Sequence, residues 1–254
     1  HTKVSILQHA VSFDEELLIF SEQSQFMVTG GATLTASNIS INVTTEFEAD
    51  KKVKPVGSGS NVFFTFNKGN FSGVREFFVA SDTDTKKADD ITANVPKFVP
   101  ANVFKLATST TENILIALSS DEDNALYVFQ YYVAQNKRLQ SAWHKWTFPN
   151  KSLHWSNFVE GTLFSVAKYT EDGTVKYYLE GLNVSRPPQA DQDLFLLDRQ
   201  LSSTIETDIG TATFAYSGAT NKTTVTLPYY TVNPSQFVVI KKDKADSNET
   251  EKRW

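Results

Sequence analysis

Short runs of β-branched and aromatic residues, bounded by Gly, Asn, Asp or Pro, recur along almost the whole chain, and a 3.6-residue apolar period is hard to find. Such a chain reads as all-β, because period-2 runs this short cannot cover a core as helices. The runs predict strands over Val4 to Val11, Leu17 to Phe20, Gln25 to Thr29, Ile39 to Thr45, Val62 to Phe66, Val74 to Ala80, Val103 to Ala107, Ile114 to Leu118 and Ala125 to Val133. Further strands are expected over Gln140 to Phe148, Leu153 to Val159, Leu163 to Tyr169, Thr174 to Leu182, Thr211 to Tyr216, Thr223 to Pro228 and Gln236 to Ile240. In Ala125 to Val133 both faces are apolar, Leu126 and Val128 on one and Tyr127, Phe129, Tyr131 and Val133 on the other, which predicts cover on both sides. In Thr174 to Leu182, Val175, Tyr177 and Leu179 alternate with Lys176, Tyr178 and Glu180, the pattern of a strand with one wet face.

Glu160-Gly161 and Asp172-Gly173 sit between adjacent strand runs, where Gly accepts the positive φ of a tight hairpin turn. The strands from 125 to 182 are therefore expected to form one meander. Meanders at a loose spacing of 40 to 60 residues are the units of a β-propeller, although no blade signature repeats and a sandwich stays open on this reading. Two prolines in Arg186-Pro187-Pro188-Gln189, followed by a polar stretch, break strand pairing and place a boundary near residue 188. The expected organisation is a β-propeller-like domain over 1–188 and a smaller β module over 189–254.

At 254 residues the chain can bury a sizeable core, and its longest apolar run is five residues, so a transmembrane helix of roughly 18 apolar residues is excluded. A formal charge of -5 disfavours tight binding of duplex nucleic acid, which needs a surplus of Lys and Arg on one face. The one notable basic run, Lys51-Lys52 with Lys54, follows Glu46, Glu48 and Asp50 and reads as a solvated mixed face. The absence of cysteine removes disulfides, thiol catalysis, zinc-cysteine sites and iron-sulfur clusters. Seven Asn-X-Ser/Thr triplets are what a chain rich in Asn, Ser and Thr makes by chance. The sequence starts without Met or a secretory signal and runs from a strand straight into KKDKADSNETEKRW, so a piece of a longer chain is expected.

The densest aromatic stretch is Gln140 to Phe148, with His154-Trp155 close behind. On a strand, Ala142, His144 and Trp146 share one face and Trp143, Lys145 and Thr147 the other. His144 and His154 have no orienting partner that the sequence reveals, so the stretch reads as packing, with Trp143, Trp146 and Trp155 as a structural aromatic cluster. The alternative is a carbohydrate-stacking platform on Trp143, His144 and Trp146, with Trp155 alongside. Asp82-Thr83-Asp84, Asp89-Asp90 and Asp121-Glu122-Asp123 lack calcium-loop spacing and are expected in solvated turns. Gly57-Ser58-Gly59-Ser60, with no helix after it, is expected to be a turn. The motifs of P-loops, nucleophile elbows, HExxH zinc sites and dinucleotide folds are missing. No catalytic, cofactor or metal residue is therefore assigned.

Glu15-Glu16-Leu17-Leu18-Ile19, Gln25-Phe26, Asp90-Ile91-Thr92, Val95-Pro96, Thr111-Glu112-Asn113 and Ser141 to Trp146 occur in the order found in the nozzle proteins (tail tubular protein B) of short-tailed double-stranded DNA phages. The chain resembles the middle of that family, specifically over the first 180 residues or so and more weakly after Asp191. The resemblance implies a structural protein of the virion tail, made in the bacterial host cytoplasm. It implies a ring of six copies below a tail adaptor, holding tail fibres and forming the channel for genome ejection, with a β-propeller-like domain beside smaller β domains. It carries no catalytic residue and no cofactor. Double-stranded DNA passing such a channel without tight binding accords with an acidic chain. The alternative function is a β-propeller that binds or degrades host surface polysaccharide.

Overall fold

The computed structural model describes residues 6–30, 35–80, 83–134, 137–171, 173–184, 214–225, 240–241 and 252–253. Among them every regular element is a strand, and no helix is long and apolar enough to cross a membrane. The chain divides into two compact units, His1–Thr170 with Val175–Phe195, and Glu171–Thr174 with Leu196–Trp254. The expected boundary near 188 lies outside the described residues.

In the first unit strands that follow one another in the chain pair within each of four sheets, and the sheets succeed one another in chain order. They are β1 (Leu7–Phe13), β2 (Glu16–Ser21), β3 (Gln25–Thr29) and β4 (Ser40–Thr45); β5 (Val56–Ser58), β6 (Asn61–Asn67), β7 (Ser72–Ala80) and β8 (Thr85–Asp90); β9 (Val103–Ser109), β10 (Ile114–Ser119), β11 (Ala125–Ala134) and β12 (Lys137–Thr147); and β13 (Ser152–Val159), β14 (Thr162–Glu171) and β15 (Thr174–Asn183). In the second unit β16 (Phe214–Ser217) pairs with β17 (Lys222–Val225), and β18 (Ile240–Lys241) pairs with β19 (Lys252–Arg253).

Tight turns set these registers. Phe13 faces Glu16 across Asp14-Glu15, and Val159 faces Thr162 across Glu160-Gly161, both pairs with two positive φ values, the geometry that matches strand twist. Glu160-Gly161 is the hairpin turn its sequence predicts. Gly57-Ser58 closes β5 and the chain turns at Gly59-Ser60, Gly59 having φ 60°. The 125–182 stretch is not one meander. Phe148 N–H donates to the Asn124 carbonyl (2.8 Å) and Leu153 N–H to the Asp123 carbonyl, so after Asn150 (φ 64°) the chain leaves one sheet and starts another.

The sheets stack in chain order through three cores. Leu18, Phe20 and Met27 of the first sheet meet Val62, Phe64 and Phe77 of the second. Phe63 and Val74 of the second meet Leu106, Leu115, Tyr127 and Phe129 of the third. Ile116, Leu118, Leu126 and Val128 of the third meet Leu153, Leu163 and Ala167 of the fourth. The third sheet is thus covered on both faces along Ala125 to Phe129, as the two-sided pattern predicts, whereas Val133, expected under cover, is 41% exposed; every residue of β10 is buried. Gly73 faces Phe66 across the β6–β7 ladder, and the Phe66 ring lies over the space a Cβ would take.

Three strands went unpredicted, the two-residue β19 among them. β5 has only three residues, and β8 reads TKKADD, with Ala88 alone buried. Asp89 and Asp90, expected in a turn, end β8 instead, because ladder pairing with Arg75 and Glu76 of β7 needs no apolar side chain. In β15 the expected faces are exchanged. Val175, Tyr177 and Leu179 are exposed at 48, 59 and 70%, while Tyr178 packs edge-on against Tyr169 and Glu180 accepts from the Tyr169 hydroxyl (2.5 Å) and the Lys151 ammonium (2.6 Å).

Candidate functional site

The first strands of the four sheets, β1, β5, β9 and β13, lie side by side. Since a carbonyl can only accept, His9 Nε2 carries a proton and donates to the Lys51 carbonyl (2.9 Å), and the Thr108 hydroxyl donates to the Gly57 carbonyl (2.9 Å). These strands border a cleft of about 610 Å³ whose lining includes His9, Lys52, Lys54, Lys105, Phe104 and Phe158, and no carboxylate. Lys105 is half-buried, and its ammonium lies 5.7 Å from the centre of the Trp155 ring. Burial, and then the nearby Lys54 charge, push the Lys105 ammonium below its ordinary pKa.

A second cleft, of about 700 Å³, is bordered by Glu22, Glu48, Asp50 and Asp121 together with Lys51 and Lys52. The Lys51 ammonium pairs with Glu22 at 3.3 Å, and Asp50 accepts the Lys52 backbone N–H at 2.9 Å. The basic run read as one mixed face is therefore divided: Glu48, Asp50 and Lys51 border one cleft, Lys54 joins the distant Lys105 at the other, and Lys52 borders both.

Strand β12 divides the sequence-predicted aromatics. Trp143 packs on the core between the second and third sheets, its ring 5.2 Å from Phe129 and 6.5 Å from Phe98, and its indole N–H donates to the Ile91 carbonyl (2.9 Å). Trp146 lies on the opposite face, against the core between the third and fourth sheets, with the His144 ring 5.7 Å away. Burial holds His144 below the ordinary histidine pKa. Trp155, on β13, is 39% exposed, and His154 stands edge-on to Tyr177 at 5.5 Å. Trp143 and Trp146 thus serve separate cores, and His144 shares a face with Trp146 but not with Trp143.

Three carboxylates of the acidic clusters, Asp90, Asp121 and Glu122, are engaged in local structure. Asp90 pairs with Lys68 (2.8 Å) and accepts from the Thr92 N–H (2.8 Å) and hydroxyl (2.5 Å). Burial alone would raise its pKa, but these bonds and the Lys68 charge hold it below the ordinary carboxylate value. Asp121 accepts from Asn102 (2.8 Å), and Glu122 accepts from Lys145 and the Tyr127 hydroxyl. Among the described residues no group of three or more His, Asp or Glu is arranged to hold a metal ion.

One inter-sheet contact escaped sequence reading. Glu76 on β7, with its side chain 4% exposed, takes a two-pronged bond from the Arg138 guanidinium of β12 (2.5 Å for each prong) and a third from Asn61 (2.6 Å). The guanidinium also lies 4.7 Å from the centre of the Tyr131 ring. Burial pulls the Arg138 pKa down, yet its bonds and charge interaction with Glu76 leave it raised. The pair fastens the second sheet to the third, and nothing in the local sequence of either residue announces it.

Over 147 residues the chain is 33% identical to the tail tubular protein gp12 of Escherichia phage T7, a match covering 58% of this chain and 18% of that relative. Among solved structures it is similar to Hsv2 of Kluyveromyces lactis, with a TM-score of 0.40 and 12% identity over 65% of this chain and 46% of that one. The sequence model of bacteriophage nozzle proteins matches residues 1–254, and the chain belongs to that family.

Proposed function

We propose that the chain is a structural component of a short phage tail, part of a nozzle ring of six copies that sits below the tail adaptor, supports tail fibres and forms the channel for genome ejection. The observation that carries this is the nozzle-family match over residues 1–254. In this reading the protein is made in the host cytoplasm, ends in the virion tail, and is not an enzyme. Double-stranded DNA passes it without tight binding, in keeping with its net charge of -5. The sheets stacked in chain order, with their first strands side by side, support a propeller-like domain over residues 1–188, beside a small β module over 189–254. The N–H and ring contacts of Trp143, and the packing of Trp146 on another core, support structural roles for these aromatics over a shared glycan platform.

Imaging the full-length protein mixed with its adaptor tests the proposal. Six-fold rings seated on the adaptor are expected. A protein that stays monomeric in that mixture, or that shortens capsular polysaccharide by an activity lost on one carboxylate substitution, would overturn it.

A further inference from the structure

The cleft between the first strands has three lysines and no carboxylate in its lining. Six other cations of the first unit, Lys51, Lys68, Lys86, Lys145, Lys151 and Arg138, each face a carboxylate. Among the described residues Lys52, Lys54 and Lys105 have no such ion pair, and no carboxylate lines the cleft they share, although Lys52 also borders the carboxylate-bearing cleft. Lys105 is half-buried and positioned by the Trp155 ring, with Lys54 close enough for the two charges to repel. Like charges held together in a partly desolvated concavity are an unfavourable resting arrangement that a bound anion relieves. A volume of about 610 Å³ falls within the usual size of a small-molecule site, and Thr108 and Asn157 add polar groups to its wall.

We propose that the cleft bordered by β1, β5, β9 and β13 binds a compact oligophosphate, the triphosphate group of a small molecule, through Lys52, Lys54 and Lys105. Ammonium groups act as point charges toward phosphate oxygens, and Lys54 and Lys105 held near one another, with Lys52 in the same lining, match a ligand with several adjacent negative charges. A duplex is the poorer occupant, because tight binding to it takes many phosphate contacts spread along its length. Phe104, 37% exposed, and Phe158 stand in the same wall and offer stacking surface should the triphosphate carry a base.

Isothermal titration of the 254-residue chain with sodium tripolyphosphate at low salt is expected to give saturable one-site binding that weakens as salt rises. Lys54→Gln and Lys105→Met are each expected to weaken it by about tenfold or more, the weight of a charge-assisted bond. Lys87→Gln, on the exposed part of β8, should leave it unchanged. Thermal melts verify that each variant folds. Lys54 is exposed, so its variant carries the test alone if Lys105→Met does not fold. ATP binding more tightly than tripolyphosphate would assign a nucleotide, and equal affinities would assign the phosphate chain itself. Absence of saturable binding, indifference to Lys54→Gln, or a short random duplex or polyglutamate peptide outcompeting tripolyphosphate would overturn the proposal.

Discussion

The third and fourth sheets are built from similar apolar strands, yet they use them differently. In β11 the residues of both faces are buried, Ala125, Tyr127 and Phe129 against the second sheet and Leu126 and Val128 against the fourth. In β15 the apolar set Val175, Tyr177 and Leu179 faces outward, and the inner face is held by Tyr178, Glu180, Tyr169 and Lys151. Alternation identifies a strand but does not say which side a neighbouring sheet will cover. A residue's energetic weight follows the neighbour, not its hydropathy.

Substitutions test this contrast. Leu115, 0% exposed between the second and third sheets, should cost about 3 to 4 kcal/mol as Leu115→Ala, read by urea denaturation. Glu76→Ala, which strands the Arg138 guanidinium against the second sheet, should cost about 2 to 3 kcal/mol, less than a fully buried pair because Arg138 is partly exposed. Replacing both with Leu and Met should recover much of that loss. A double variant no better than Glu76→Ala would show that the pair contributes shape that apolar residues cannot. Trp143→Phe keeps one aromatic ring but removes the pyrrole N–H and leaves the Ile91 carbonyl without its donor, about 1 kcal/mol for the lost bond on top of the packing lost with the smaller ring.

Glu122 tests the acid sensitivity of the third sheet. Its bonds from Lys145 and Tyr127 hold its folded pKa below the unfolded one, so their stabilisation is present above the unfolded value and is lost as pH falls through the folded one. Glu122→Gln should lower stability by a few tenths of a kcal/mol at neutral pH, and the gap from wild type should close in melts near pH 3. The smallest effect is expected on the fourth sheet, where Leu179→Ser should change stability by less than about 0.5 kcal/mol. A loss of about 2 kcal/mol there would mean that the outer face of β15 is covered in solution.

Much of the strand inventory was legible because β-branched and aromatic runs bounded by turn residues have few other solutions. Gln25–Thr29 is predicted to the residue, and Glu160-Gly161 turns as read. Strand β8 was illegible because its pairing to β7 is a backbone matter and only Ala88 reports burial. Asp14-Glu15 hides a tight turn because neither residue is glycine. The facing of Trp143 and Trp146 followed from period 2, whereas their partners Phe98, Ile91 and Leu153 did not, since sheet stacking sets them. The cationic cleft was the least visible feature. Lys105 stands alone in its sequence neighbourhood, and it meets Lys54 only because β5 and β9 lie together.

The chain-order pairing of the strands also bears on how the first unit comes apart. Every ladder joins sequence neighbours, so each hairpin can close early and cheaply, as in other chains dominated by local contacts. A lone sheet with a bare apolar face gains little until the next one docks, and each sheet docks mainly on its immediate neighbours, much as repeats do in a solenoid. Loss of structure therefore frays inward from the first and fourth sheets, and the amides of β10 and β11 should be the last to exchange with solvent.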